Sequence, residues 1–228
     1  MNNIPILIPV KKNSDRCSNK NEVLLPITIN YLKCEGYENI WIISDSQELL
    51  DIGIKYNCYT FLEHRLENQD ELQSCWSFIK NLMIDFFVLC PVTSPFRTKG
   101  IIIELYEAIT MQRTDFDFVT TYNTIPDRQQ FVLNQKLENR VSFKFKYNNR
   151  KGSLSGNPLS IIDGAVYIIR KEFLESISQN QDINHSFWNG RFYCVQNTTP
   201  FLDIDTPNDL QKFNFILNQF SLYSKCQS

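Results

Sequence analysis

Two aspartates near the end of the chain are the residues whose spacing first suggests chemistry. Asp203 and Asp205 stand two apart in a short apolar run, and an extended chain sends such residues to the same side. Two neighbouring carboxylates repel each other unless a proton or a cation lies between them. Mg²⁺ suits the pair, because it binds one or two carboxylates and completes its shell with water and phosphate oxygens. The pair therefore indicates a magnesium site, although an acidic turn before a capped helix would give the same pattern.

A helix start follows the aspartates directly. Thr206 is a good N-cap, Pro207 suits the first helical position, and Asp209 lies three residues past the cap. We expect the last helix to pack on the core and so to fix the carboxylates in place. Its apolar residues recur at helical spacing and are Leu210, Phe213, Ile216, Leu217 and Phe220.

Composition narrows the class of protein. The chain has 228 residues, of which 43% are hydrophobic, and this suits one globular domain. A net charge of −2 gives no general attraction to nucleic acid or to an anionic membrane, so we expect neither as a partner. The seven cysteines are scattered and lack metal-site spacing, which favours reduced thiols in the cytoplasm.

The first hundred or so residues alternate between apolar runs and helix-like segments. This order is typical of an α/β layer, in which ligands bind beyond the carboxyl ends of the strands. Three polar stretches fall at such ends, namely Lys11–Asn21, Ser44–Ser46 and Pro91–Arg97. We expect Asp45 and Thr98 to cap the helices that follow them.

From Asp115 the pattern changes to β-branched and aromatic residues. Asp117–Tyr122, Gln130–Leu133 and Val141–Tyr147 are predicted to be hairpin strands. A polar and basic loop then precedes another buried strand.

Four stretches, in this order and each at a predicted strand end, resemble the acylneuraminate cytidylyltransferases (CMP-sialic acid synthetases). They are Ile8–Asn21, Cys90–Thr98, Asp163–Tyr167 and Asp203–Asp209. The resemblance covers most of the chain and implies a single domain, 1–228. The implied fold class is α/β: a three-layer nucleotide-diphospho-sugar-transferase-like (Rossmann-like) mixed sheet with an inserted dimerisation hairpin region.

The resemblance also implies an activity. A Mg²⁺-dependent cytidylyltransferase would join CTP to an acidic keto-sugar, sialic-acid-like or a related 3-deoxy sugar, for surface polysaccharide synthesis. Pyrophosphate would be released. A homodimer is implied, in which the region 117–158 of one subunit closes the sugar pocket of the other.

Roles for individual residues follow from the matching positions. Catalysis would fall to Lys20, Asp203 and Asp205, the two aspartates holding the metal. The nucleotide would be bound by Val10, Lys11, Lys20, Asn21, Arg65 and Ser94. The sugar would be bound by Asp163, Arg150 and Lys151.

Two departures from the family pattern leave more than one function open. The glycine pair of the phosphate loop is Lys12-Asn13 here, and the base-reading glutamine is Pro91. A non-catalytic nucleotide- or sugar-binding relative would tolerate both changes. A nucleotidyltransferase for a different sugar or sugar phosphate would also fit, as would a glycosyltransferase with an Asp-x-Asp metal site. The position of the aspartates near the carboxyl end favours the synthetase.

Overall fold

A mixed seven-stranded sheet forms the centre of the protein. The computed structural model describes residues 4–12, 14, 16–111, 116–125, 133–135, 141–143 and 159–225. The strands are β1 Ile6–Val10, β2 Ile40–Ser44, β3 Tyr59–Leu62, β4 Phe86–Leu89, β5 Phe118–Ile125, β6 Leu133–Gln135, β7 Val141–Phe143, β8 Leu159–Arg170 and β9 Phe192–Gln196. The helices are α1 Lys20–Cys34, α2 Gln47–Lys55, α3 Glu71–Ile79, α4 Ile101–Met111, α5 Lys171–Ile177, α6 Ile183–Trp188 and α7 Pro207–Lys225.

The order of the strands is β3-β2-β1-β4-β8-β5-β9. Strand β8 runs antiparallel to both of its neighbours, whereas every other pairing in this sheet is parallel. The carboxyl ends of β1, β4 and β5 therefore lie at one edge, together with the amino end of β8. Strands β6 and β7 form a separate antiparallel pair.

Helices cover both faces of the large sheet. Side chains of β1 alternate between the faces: Ile6 and Ile8 belong to one buried cluster and Leu7 to the other. Helices α1, α2, α4 and α7 contribute to the first cluster, and α3, α5 and α6 to the second. Burial on both faces explains the continuous apolar runs of the strands, and the predicted three-layer α/β architecture is confirmed.

The structure differs from the predictions at several elements. Strand β5 pairs with β8 and β9 in the large sheet instead of forming a hairpin. Asp45 does not cap α2, because it accepts a hydrogen bond from the backbone of Lys12 at 2.9 Å. Thr98 does not cap α4 either: its hydroxyl and backbone NH both contact Asn197. Helix α6 was not predicted. None of the described helices is both long and apolar enough to cross a bilayer.

A register break in β8 shapes the edge of the sheet where the polar loops meet. Between Thr120 and Tyr122 of β5 the pairing moves from Tyr167 to Ile162, so β8 bulges over residues 163–166. Gly164 has a φ of +66°, a conformation that glycine adopts without strain. Bulges of this kind redirect side chains, and here the bulge turns Asp163 inward.

Candidate active site

The amino- and carboxyl-terminal parts of the chain meet at the carboxyl edge of the sheet. Lys20 Nζ donates a hydrogen bond to the carbonyl of Ile204 at 2.8 Å and lies 3.3 Å from the carboxylate of Asp205. Arg16 forms a second ion pair with Asp205 at 2.9 Å. The basic loop after β1 and the acidic segment before α7 therefore share one site, as the sequence predicted.

Local contacts fix the basic side of this site. Lys20 is the first residue of α1 and is 6% exposed, so its position is set by packing. Asn21 donates from its side chain to the carbonyl of Lys11 at 2.7 Å and closes the loop back on the end of β1. Val10, the last residue of β1, is buried beneath the loop.

The acidic side depends on one buried residue and one capped helix. Ile204 is fully buried, and its backbone NH donates to the carbonyl of Thr93 at 2.9 Å. Asp203 and Asp205 flank this anchor. The segment forms no strand, contrary to the extended run that the spacing suggested. Thr206 and Asp209 exchange hydrogen bonds, which confirms the predicted start of α7.

A cavity of about 410 Å³, which we call the basic cavity, opens beside these contacts. Its lining includes the basic side chains of Lys11, Arg16, Lys20 and Arg65. Val10, Asn21, Asp203 and Asp205 also line it. The structure therefore brings together every residue predicted to bind nucleotide or metal except Ser94.

Arg65 is nearly buried, and part of its guanidinium has no hydrogen-bond partner. Its side chain is 9% exposed, and Nη1 lies 3.6 Å from the carboxylate of Glu63. Ser74 and Gln69 donate to that carboxylate at 3.0 and 2.8 Å, which fixes Glu63. The Nε and Nη1 groups of Arg65 are buried without a hydrogen-bond partner. Buried donors of this kind require a ligand or water, and a phosphate or ribose oxygen would satisfy them.

A second cavity of about 580 Å³, which we call the aromatic cavity, lies on the other side of Asp203. Trp188 and Phe201 line it and are each 40% exposed. Its acidic lining residues are Asp70, Glu71, Asp163 and Asp203, and none of its described lining residues is Lys, Arg or His.

Ser94 and Asp163 both belong to the aromatic cavity. The Ser94 hydroxyl donates to the carbonyl of Asp163 at 2.7 Å, so Ser94 braces the bulge of β8 and does not line the basic cavity. The carboxylate of Asp163 accepts hydrogen bonds from Thr121, from Asn197 and from the backbone NH of Ala165. The remaining two predicted sugar-binding residues, Arg150 and Lys151, lie outside the described residues.

Four of the residues that the structure describes line both cavities: Asp70, Glu71, Thr93 and Asp203. Burial, and then the neighbouring charge of Asp70, raises the pKa of Glu71 to about 7. Desolvation, and then the neighbouring Asp205, raises the pKa of Asp203 above its ordinary value, against a hydrogen bond from Thr93. The junction therefore holds carboxylates whose negative charge is only partly compensated.

Several residues of this site were not predicted from the sequence. Glu71 stands in the first turn of α3, where an acidic residue is an ordinary helix-start feature. Asn184 and Trp188 belong to α6, a six-residue helix without a strong periodic pattern. The side chain of Asp182 accepts from the backbone of His185 at 2.9 Å, and this N-cap was the one available signal for the helix.

The residues at the junction fit a divalent cation that is shared with a substrate. Among the described residues, no group of three or more histidines, cysteines or carboxylates could hold a metal by itself. Asp203 and Asp205 supply two carboxylates, and Mg²⁺ commonly takes its remaining ligands from phosphate oxygens and water. The ion pairs of Asp205 with Lys20 and Arg16 leave Asp203 as the carboxylate less compensated by cations.

Solved structures with the same fold include enzymes that use nucleotides. CMP:2-keto-3-deoxy-manno-octonic acid synthetase complexed with CTP has a TM-score of 0.67 at 13% identity, covering 95% of this chain and 98% of that one. The 4-diphosphocytidyl-2C-methyl-D-erythritol synthase of Anaerococcus prevotii has a TM-score of 0.62 at 15% identity, with 94% and 99% covered. HddC from Yersinia pseudotuberculosis has a TM-score of 0.62 at 17% identity, with 92% and 97% covered.

No family model matches the sequence, and no curated protein matches it. At identities of 13% to 17%, the structural likeness establishes the fold and leaves the activity to be argued from the site. The chain has the nucleotide-diphospho-sugar-transferase-like fold that the resemblance implied.

Proposed function

We propose that the protein is a CTP-dependent nucleotidyltransferase. In this proposal the basic cavity binds the nucleoside triphosphate and the aromatic cavity binds the acceptor. The observation that carries the proposal is the placement of Asp203 and Thr93 in the walls of both cavities, beside the contact of Lys20 with Asp205 at 3.3 Å. Two substrates bound there would meet at the shared wall. CTP is favoured over ATP, GTP and UTP by the sequence resemblance and by two of the structural counterparts, one bound to CTP and one named for a diphosphocytidyl product.

The chain supplies groups for each part of this reaction. Lys11, Arg16, Lys20 and Arg65 would bind the triphosphate and neutralise its developing charge. An oxygen of the acceptor attacks the α-phosphorus, and the bond from that phosphorus to the β-bridging oxygen breaks. Pyrophosphate leaves with the electron pair. A hydroxyl acceptor also loses a proton, and Glu71 lies at the junction with a pKa raised to about 7, suited to accept it.

Mg²⁺ belongs to the proposal as a cofactor. When bound by Asp203 and Asp205, it would neutralise phosphate oxygens and favour ionisation of an attacking hydroxyl. Asp205 is already paired with Arg16 and Lys20, so the exposed side chain of Arg16 would turn to phosphate oxygens as the metal and nucleotide bind, while the buried Lys20 would contact them from its present position.

The acceptor implied by the resemblance is an acidic keto-sugar, and it remains a candidate. A carboxylate in the aromatic cavity needs positive charge that the described lining does not supply. Arg150 and Lys151 would have to provide that charge, from the same subunit or from a second subunit of the implied homodimer. A cytoplasmic location belongs to the same proposal.

A non-catalytic nucleotide-binding protein is the second candidate, because Asp205 already has two cationic partners. Both candidates can be tested in one assay with CTP, Mg²⁺ and a panel of acceptors containing 3-deoxy-keto acids and sugar phosphates. Pyrophosphate release with CTP above the rates with ATP, GTP and UTP supports the enzyme. Tight CTP binding without release for any acceptor selects the second candidate, and absence of CTP binding contradicts both.

A further inference from the structure

The chemistry of the aromatic cavity points to a class of acceptor different from an acidic sugar. The cavity combines two exposed aromatic rings with four carboxylates, and its described lining contains no basic side chain. Away from the end shared with the basic cavity, the described lining offers an anionic group no positive charge. Cationic ammonium groups are bound in proteins by aromatic faces, and carboxylates nearby strengthen the attraction.

Packing against neighbouring rings fixes Trp188 in the aromatic wall. Trp188 packs edge-to-face on Phe187, with ring centroids 5.4 Å apart and an interplanar angle of 82°. It makes a similar contact with Tyr167 at 6.3 Å and 66°. Phe187 is in turn 3% exposed and stacks on Phe118 at 4.1 Å. Trp188 is therefore held by buried rings while 40% of it remains accessible.

Two of the four carboxylates in the described lining, Asp70 and Asp163, are held by neutral donors. Asp70 accepts from the backbone of Leu72 at 2.7 Å and from the side chain of Asn184 at 2.5 Å. The partners of Asp163 are a hydroxyl, an amide and a backbone NH. These hydrogen bonds orient the carboxylates without cancelling their charge. The raised pKa of Glu71 agrees with an excess of negative charge and burial at this point.

We infer that the acceptor carries a positively charged ammonium group, which the aromatic cavity binds between the rings of Trp188 and Phe201 and the surrounding carboxylates. The inference rests on the proposed function for the role of the cavity as the acceptor site. The attacking oxygen, a phosphate or a hydroxyl, lies at the end shared with Thr93 and Asp203. Amino-alcohol phosphates and amino sugars have the required combination of groups.

A pair of ligands that differ only in charge tests the inference. Phosphocholine and 3,3-dimethylbutyl phosphate have nearly the same shape, but only phosphocholine carries a quaternary ammonium. We expect phosphocholine to bind at least about tenfold more tightly in calorimetric titrations of the full chain, because cation–π and carboxylate contacts act only on the charged ligand. Equal affinities, no detectable binding of either, or tighter binding of a 3-deoxy-keto acid than of phosphocholine would overturn it.

Substitutions in the aromatic cavity test whether its residues cause the preference for phosphocholine. Trp188→Leu and Glu71→Gln should each reduce the preference for phosphocholine by about threefold or more. Glu172→Gln removes an exposed carboxylate from α5 outside both cavities and should leave the preference unchanged. A preference that survives both cavity variants contradicts the assignment.

A separate titration with CTP and Mg²⁺ distinguishes failure of this inference from failure of the proposed function. CTP binding and pyrophosphate release without any ammonium preference would overturn the inference alone. An ammonium preference without CTP binding would overturn the proposed function and leave cation recognition by the cavity in place.

Discussion

The basic cavity and the aromatic cavity share a wall but differ in the charges of the side chains that line them. Among the described residues, four basic and four acidic side chains line the basic cavity, whereas four acidic ones and no basic ones line the aromatic cavity. The first suits a polyanion with a metal ion, and the second suits a neutral or cationic group. A shared wall between such different surroundings is what an enzyme needs to bring a triphosphate and an acceptor together.

Substitution of Asp203, which lines both cavities, should affect activity far more than stability. We expect Asp203→Asn to lower pyrophosphate release by roughly 100- to 1,000-fold, the usual effect of removing one electrostatic contact to a transition state. Its thermal stability should change little, because the carboxylate is partly desolvated beside Asp205 and its ionised form is not favoured there. Steady-state kinetics and thermal unfolding measure the two effects.

Glu172→Gln is the matched control, since Glu172 is an exposed carboxylate on α5 and lines neither cavity. This variant should keep its turnover within about twofold, the usual limit for a surface change away from the site. If Asp203→Asn retains full activity, the shared wall is not the place of reaction.

Lys20 tests the basic cavity alone. We expect Lys20→Met to weaken CTP binding by about 10- to 100-fold, the value of one or two charge-assisted hydrogen bonds to phosphate. Acceptor binding should be unaffected, because Lys20 does not line the aromatic cavity. Titration calorimetry with each ligand gives both affinities.

Lys12→Met is the control for this loss of charge. Lys12 is in the same loop but pairs with Glu48 at 2.9 Å and lies outside the basic cavity. Equal losses of CTP affinity in the two variants would show a general effect of loop charge and would contradict the assigned role of Lys20.

These contrasts show what the sequence could and could not predict. Residues of the basic cavity lie close to recognisable sequence signals. Lys11 and Lys20 follow the end of a buried strand, and Asp205 directly precedes a capped helix. Such signals depend on local spacing. The contact between Lys20 and Asp205 joins residues 185 apart, and only the family resemblance placed the two in one site.

The aromatic cavity was largely missed for a physical reason. Trp188 and Phe201 come from an unpredicted short helix and from a loop, and Glu71 from a helix start in the first half of the chain. No local pattern marks an exposed aromatic residue as part of a cavity wall. Ser94 was assigned to the nucleotide because its motif matches the family pattern, whereas its hydroxyl is directed to the carbonyl of Asp163.

Glu71 provides a test of the charge at the shared wall. The pKa of Glu71 rises from an ordinary 4.5 to about 7, so the folded state binds its proton more tightly than the unfolded state does. Glu71 therefore contributes its full stability below about pH 4.5, and this contribution is lost as the pH rises through 7. Between pH 4.5 and pH 8, we expect the free energy of unfolding of Glu71→Gln to rise by roughly 2 kcal/mol relative to that of wild type. Each pKa unit is worth about 1.4 kcal/mol, and the partial exposure of Glu71 reduces the total.

Urea denaturation of both proteins at the two pH values measures this difference. Glu172→Gln is the control, because Glu172 is exposed on α5 and should follow the wild-type pH dependence. Parallel pH dependences for wild type and Glu71→Gln would mean that Glu71 is well solvated and that the wall carries no excess charge.

A substitution of Ser94 is expected to have the smallest effect, and it tests whether this residue belongs to the aromatic cavity alone. Ser94→Ala removes one buried hydrogen bond to the carbonyl of Asp163, and we expect the free energy of unfolding to fall by about 1 kcal/mol. CTP affinity should stay within about twofold of wild type. Chemical denaturation and CTP titration check both values, and a tenfold loss of CTP affinity would return Ser94 to the nucleotide site.

A crystal structure with CTP and Mg²⁺ would show where the α-phosphorus lies relative to the two cavities. We expect the triphosphate in the basic cavity, in contact with Lys20 and Arg65, with its α-phosphorus facing Thr93 and Asp203 and open to the aromatic cavity. A triphosphate bound in the aromatic cavity, or one whose α-phosphorus is screened from it, would contradict the account.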